Sequence, residues 1–283
     1  MNPMMDISVT RFPITAVERG NWVRRQDEVA VEEPLEIRVA VAGDGWSRYH
    51  PLAVTMRTPG HDFELAAGFL FSEGIVRRKE DIQHLAYCRD GGNPDQENIV
   101  VVELSPGVSF DPERLSRRVY TSASCGICGR TSLEMVWKEC GEKPVGRFRL
   151  SPEMLYRLPE ALYDSQRLFA CTGGLHAAAL FDASGRLLRV REDVGRHNAL
   201  DKLIGALLLE GGVPASEVVV LVSGRAGFEL VQKAVLAGIP ALAAIGAPSS
   251  LAIELAREYG ITLVGFVREE RFNVYAGEER VAL

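Results

Sequence analysis

The stretch Val218-Val-Val-Leu-Val222-Ser-Gly-Arg-Ala226 decides how this chain folds. Val218 to Val222 is an unbroken apolar run, short enough for a strand and apolar enough to be buried on both faces. Ser223-Gly-Arg225 breaks it, and Ala226 to Ala237 then carries a helical pattern that ends at Gly238. Downstream, Ala241 to Ile245 reads as a strand, Ser249 to Tyr259 as a helix and Ile261 to Val267 as a strand. Upstream, Arg196 to Glu210 places Leu200, Leu203, Ile204 and Leu207 on one helical face. Before it, Leu175 to Phe181 and Leu187 to Arg191 flank Ser184-Gly185, a hairpin signal. A hairpin followed by α-β-α-β-α-β implies a sheet with helices packed on it, the crossovers favouring parallel pairing.

The first half is less regular. Its opening 30 or so residues read as an extended lead-in. Leu35 to Val41 alternates with a strand period, and Leu52 to Met56 reads as its partner. Thr58-Pro-Gly60 signals a turn. Asp62 is expected to cap a helix carrying Phe63, Ala66, Ala67, Leu70 and Phe71, which Gly74 stops. Ile82 to Tyr87 and Ile99 to Leu104 read as strands, and Ser132 to Glu139 and Glu153 to Arg167 as helices. Cys140 to Leu150, with Gly141, Pro144 and Gly146, is the best linker. The expected organisation is therefore α/β: a smaller α+β domain over residues 1–145 and an α/β domain over residues 146–283.

The 283 residues carry a net charge of −6, with 47% hydrophobic and 25% charged residues. That composition is globular, not disordered or fibrous. The acidic balance argues against a general nucleic-acid binder, though a local basic site is compatible with it. Met1 to Gln26 lacks a signal-peptide core, and the longest apolar stretch, Ala234 to Ala247, is too short to span a bilayer. A cytoplasmic protein without membrane segments is expected. Five cysteines, Cys88, Cys125, Cys128, Cys140 and Cys171, make no disulfide framework of secreted type.

Four segments could carry chemistry. In Tyr120-Thr-Ser-Ala-Ser-Cys-Gly-Ile-Cys-Gly129, small residues and glycines mark a surface loop. Cys125 and Cys128 stand two residues apart with Arg130 beside them, a setting that stabilises a thiolate. The same pair could be half of a zinc site completed by Cys140, Cys171 or His176. Ser223-Gly224-Arg225 and Gly246-Ala-Pro-Ser249-Ser250 are strand-to-helix turns. Each is either a simple tight turn or an anion site, and two of them with Arg225 favour an anionic ligand, although neither matches a Walker or dinucleotide fingerprint. Arg191-Glu-Asp-Val-Gly-Arg196-His197-Asn198 gathers polar groups at a strand-to-helix corner, where the alternative is a cap by Asp193. Phe266-Val267-Arg268-Glu269-Glu270-Arg271 ends the last strand, where open α/β sheets bind ligands. There Arg268 and Arg271 could pair with phosphates or with neighbouring acids. His176, in Thr172-Gly-Gly-Leu-His176, reads more simply as a core residue. A zinc nucleotide deaminase would need His-x-Glu or Cys-x-Glu before its Cys-x-x-Cys. Here only Cys140-Gly-Glu142 fits, after the pair and in the linker.

Taken in order, Cys125-Gly-Ile-Cys-Gly129, Thr172 to His176, Arg191 to Lys202, Ser223 to Arg225, Gly246 to Ser250 and Phe266 to Tyr275 resemble the FdhD family, the formate dehydrogenase accessory sulfurtransferases. The likeness spans residue 35 or so to the end. It implies a sulfur carrier that takes sulfane sulfur from a cysteine desulfurase. The sulfur is held as a cysteine persulfide and passed to the molybdenum (or tungsten) bis-guanine-dinucleotide cofactor before formate dehydrogenase receives it. It implies Cys125 as carrier, Cys128 as supporting thiol, and the Phe266 to Arg271 segment in contact with the cofactor. It further implies a cytidine-deaminase-like C-terminal fold, a homodimer and no catalytic metal of its own. The alternative is a non-catalytic chaperone for the same cofactor.

Overall fold

A computed structural model describes residues 7–41, 49–88, 98–111 and 143–282. The Cys125 and Cys128 loop, Cys140 and the helix expected at Ser132 to Glu139 lie outside the described residues.

The extended lead-in expected at the start of the chain is an antiparallel hairpin, β1 (Val9–Glu18) and β2 (Asn21–Ala30). Its two-residue turn, Arg19-Gly20, has positive φ at both positions, the geometry that matches strand twist. β3 (Glu33–Val41), β4 (Tyr49–Arg57), β5 (Ile82–Tyr87) and β6 (Ile99–Leu104) form a four-stranded sheet in the order β4-β3-β6-β5. Between β4 and β5 runs α1 (Asp62–Ser72).

The second sheet has six strands in the order β12-β11-β10-β9-β7-β8. They are β7 (His176–Asp182), β8 (Leu187–Asp193), β9 (Val218–Val222), β10 (Ala241–Ala244), β11 (Thr262–Arg268) and β12 (Arg271–Ala276). The β9, β10 and β11 strands run parallel, as their helical crossovers require. β7 is antiparallel to β8 and β9, and β12 to β11. β12 was not expected as a strand, because Arg271, Asn273 and Tyr275 interrupt its apolar content. α2 (Pro152–Ser165) and α3 (Arg167–Thr172) precede the sheet. α4 (Arg196–Leu209), α5 (Phe228–Leu236) and α6 (Ser250–Tyr259) connect its strands.

Alternation within β9 explains the core. Val220 and Val222 face one apolar cluster, and Val219 and Leu221 face another. The first cluster joins α4, α5 and α6 to Leu65 and Leu70 of α1 and to Leu35, Ile37, Val100 and Val102 of the first sheet. The second holds α2 through Leu155, Leu158 and Leu162. Helices therefore cover both faces of the six-stranded sheet.

The seam between the sheets is a helix crossing of unusual closeness. A Cβ on Gly68 of α1 would stand 1.9 Å from the Asp201 carbonyl oxygen of α4, and one on Gly205 would stand 1.8 Å from the Glu64 carbonyl oxygen. Only paired glycines let the two backbones meet this way.

Buried charges surround that seam. Arg57 makes a two-pronged bond to Asp62, 3.2 and 3.0 Å, and also reaches Glu33 at 3.1 Å. Asp62 was expected to cap α1. Instead the position before it, His61, is left-handed and gives no side-chain cap, while the Asp62 carboxylate turns inward to Arg57. Arg191 of β8 donates to Glu64 of α1 at 2.7 Å. Burial pushes the Glu64 carboxyl up, but hydrogen bonds from Arg191 and His61 outweigh it and hold the group at about 2, against 4.5 ordinarily.

A depressed carboxyl stabilises the fold fully above its unfolded value and loses that contribution as pH falls through the folded one. Urea midpoints followed from pH 7 to pH 2 should show a Glu64-dependent loss between about 4.5 and about 2. Glu64→Gln should be less stable at pH 7 and converge with the parent near pH 2. A constant difference across that range would contradict the assignment.

Candidate anion and heterocycle site at the sheet edge

Where the parallel strands end, the turns end with them. Ser223-Gly-Arg225 follows β9, Ile245 to Ser249 follows β10, and Phe266 to Glu270 covers the end of β11 and the turn into β12. Because β7 runs the opposite way, its first residue His176 lies at the same edge, paired with Asp193 at the end of β8. The segments singled out separately in the sequence thus converge along one edge, apart from the cysteine loop, which lies outside the described residues.

Backbone contact builds the floor. The Gly246 N–H donates to the Gly224 carbonyl at 2.9 Å, and the Phe266 N–H donates to the Gly246 carbonyl at 3.1 Å. A Cβ on Gly246 would come within 2.9 Å of that Gly224 oxygen, so only glycine permits the approach. Phe266 adopts φ +54°, a conformation a bulky residue holds only under constraint.

Two cavities flank this floor. The smaller, about 380 Å³, is lined by Arg196, His197, Arg225, Phe228, Glu229 and Ser249 among others. The larger, about 1130 Å³, includes Gln166, Phe169, His176, Ser223, Arg268 and Glu269 in its walls. Val267 also lines it but is wholly buried, a part of the second apolar cluster. Phe266, Glu270 and Arg271 are exposed at the same turn and line neither cavity.

Charge makes the edge a candidate site for anions. Arg57, Arg189 and Arg191 each pair with a carboxylate. Arg196, Arg225 and Arg268 have no ion pair among the described residues. Arg268 is instead oriented by its own Nη1, which donates to the Ile245 and Val267 carbonyls at 2.8 Å each. Three arginines without acids, in a chain of net charge −6, leave their positive charge for a ligand.

Other residues at the edge are committed to structure. Asn198 donates to the Met56 carbonyl at 2.8 Å and to Asp193 at 3.0 Å, and it accepts from Thr55. It lines neither cavity. Asp193 accepts from the Gly195 N–H at 2.8 Å and is paired with buried Lys202 at 2.7 Å. Ser249 caps α6, accepting from the Ala252 N–H. Ser223 accepts the Ala177 N–H at 2.9 Å, tying β9 to β7, and still has a hydroxyl proton to offer the cavity. His197 contacts Glu229 at 2.9 Å.

His176, read from the sequence as a core residue, is half-buried at the large cavity. Burial, then the charges of Arg196 and His197, push its imidazole below the ordinary value, with Asp193 opposing. It is therefore neutral at neutral pH. Gln166 and Phe169 carried no sequence signal, because only the fold brings the α2–α3 junction to this edge. Among the described residues, no cluster of three or more His, Cys, Asp or Glu is placed to hold a metal ion. No described helix is long and apolar enough to cross a membrane.

The chain is similar to known proteins along nearly its whole length. The crystal structure of a Desulfotalea psychrophila protein, described as a formate dehydrogenase accessory protein, superposes with a TM-score of 0.73 at 26% identity, covering 97% of this chain and 99% of its own. A Streptomyces avermitilis protein named sulfur carrier protein FdhD is 51% identical over 282 residues, 96% of this chain and 95% of its own length. A Mycobacterium tuberculosis protein of the same name is 48% identical, covering 92% and 93% respectively. The model of the FdhD/NarQ family matches residues 30–282, and the chain belongs to that family.

Proposed function

We propose that this chain is a sulfurtransferase that prepares the molybdenum (or tungsten) bis-guanine-dinucleotide cofactor for formate dehydrogenase. The observation that carries the reading is the sheet edge of an FdhD/NarQ family member, where Arg196, Arg225 and Arg268 stand beside two cavities without acidic partners. A guanine dinucleotide brings phosphates and a flat heterocycle, and both suit that edge. Phosphate would engage the arginines, and the ring would enter the larger cavity. The Phe266 to Arg271 turn, Ser223, Gly224, Gly246, Ser249, His197 and Asn198 would shape or support the contact.

Cys125 is the proposed sulfur carrier and Cys128 its supporting thiol. The Cys125 thiolate attacks the terminal sulfur of a cysteine desulfurase persulfide, a new S–S bond forms, and the desulfurase thiolate leaves. Attack by an electron-rich atom of the substrate on that outer sulfur would form the new bond to sulfur, break the S–S bond and release the Cys125 thiolate. The α/β domain over residues 146–283 would be of the cytidine-deaminase-like three-layer type, in a cytoplasmic homodimer.

The test uses a cysteine desulfurase, cysteine and labelled sulfur. Cys125→Ala should lose nearly all protein-bound sulfane sulfur and fail to activate formate dehydrogenase. Retention of parental label would overturn the carrier assignment. Loss of label with undiminished activation would favour the cofactor chaperone instead.

A further inference from the structure

Gln166 sits where α2 ends and α3 begins, with only 5% of its surface exposed. A polar side chain at a helix start ordinarily caps the free N–H groups behind it. Here that work is done from outside the helix. The Glu192 carboxylate of β8 accepts from the Leu168 N–H at 3.1 Å and from the Phe169 N–H at 2.8 Å. Gln166 makes no side-chain cap and has no side-chain hydrogen bond among the described residues. It lines the cavity of about 1130 Å³ together with Phe169, Arg268 and Glu269.

Water reaches the amide through the cavity, and a ligand offering matched groups can take that water's place. The Gln166 carbonyl accepts and its NH2 donates side by side, the pattern complementary to the edge of a hydrogen-bonding heterocycle. Phe169 supplies an apolar face against which a ring can lie.

We propose that Gln166 is a ligand-binding residue that hydrogen-bonds the 2-amino-4-oxopyrimidine edge common to guanine and pterin. The proposal rests on the reading of the sheet edge as a guanine-dinucleotide site. The Gln166 carbonyl accepts from a ring N–H or exocyclic NH2, and its NH2 donates to the exocyclic carbonyl oxygen. Glu269, which also lines the cavity, adds an acceptor-only group that favours this edge over that of adenine, which presents one donor beside a ring acceptor.

The experiment measures binding of GDP, pterin, ADP and inorganic diphosphate to the full-length protein and to Gln166→Leu by calorimetry, with thermal midpoints as a check on folding. The parent should bind GDP more tightly than ADP. Gln166→Leu should weaken GDP about tenfold, the value of one to two lost hydrogen bonds, while leaving diphosphate unchanged. Pterin weakened in parallel assigns the cavity to either ring. Pterin that never binds assigns it to guanine alone. Gln166→Asn, which retains the amide on a shorter stem, should recover part of the loss. Equal GDP affinity in the parent and a folded Gln166→Leu overturns the role of Gln166 and leaves the site reading standing. A parent that binds neither GDP nor pterin overturns both.

Discussion

Replacing Asp193 with alanine is expected to destabilise the protein by about 3–5 kcal/mol, the usual cost of orphaning one member of a buried ion pair. Lys202 is 1% exposed and Asp193 fully buried, so the orphaned ammonium would stay out of bulk solvent. The lysine would retain only carbonyl partners, Thr58 at 2.8 Å and Glu192 at 3.4 Å. Asp193 also accepts from the Thr58 and Gly195 N–H groups and from Asn198, and all three would lose an acceptor. Replacing both partners, as Asp193→Leu with Lys202→Met, should recover much of the loss, because an apolar pair carries no unpaired charge. Urea unfolding of the singles and the double measures this directly. Singles that lose under 1 kcal/mol would show that the pair is not the clamp it looks to be.

Gly205→Ala is the second. On propensity alone, alanine in a helix interior gains about 1 kcal/mol over glycine. At this crossing the sign should reverse, because the new methyl would stand 1.8 Å from the Glu64 carbonyl oxygen and 2.8 Å from the Gly68 nitrogen. Neither atom belongs to a flexible side chain. The helices must separate, and the apolar cluster they share must open with them. A net loss of about 2–3 kcal/mol is expected, within the range of overpacked cores. Gly68→Ala should behave alike, and the pair should be strongly non-additive, since one separation accommodates both methyls. A neutral or stabilised Gly205→Ala would contradict the packing.

How legible was this molecule? Local pattern was enough for the alternating half. β5, β6 and β9 run over the spans their apolar runs predict, and Ser184-Gly185 does turn the β7–β8 hairpin. The hairpin of β1 and β2 escaped notice because charged and apolar residues mix on both its faces, and because Arg19-Gly20 is an unusual occupant of a two-residue turn. Asp62 was legible as a helix-start residue. Its actual partner, Arg57, is set by tertiary burial. The same limit applies to the site. Arg196, Arg225 and Arg268 could be named from their turns, but that they lack acids is a statement about everything around them. Asn198 looked like a ligand because it sits in a polar run, yet its amide closes the corner internally. Gln166 looked like nothing, since its freedom depends on Glu192, far along the chain, having taken over the cap.

The three arginines without acids have a kinetic consequence. In a chain whose overall balance is negative, they gather positive charge at one edge, beside Glu160, Glu229 and Glu269 of the cavity walls. A polyanion approaching elsewhere is repelled, while one approaching this edge is drawn inward over about a Debye length. Capture of a highly charged ligand then depends on ionic strength chiefly through its rate of arrival, while shape and hydrogen bonding in the cavity govern how long it stays. The arrangement works as an electrostatic funnel, and it does so because the fold left those guanidinium groups unneutralised.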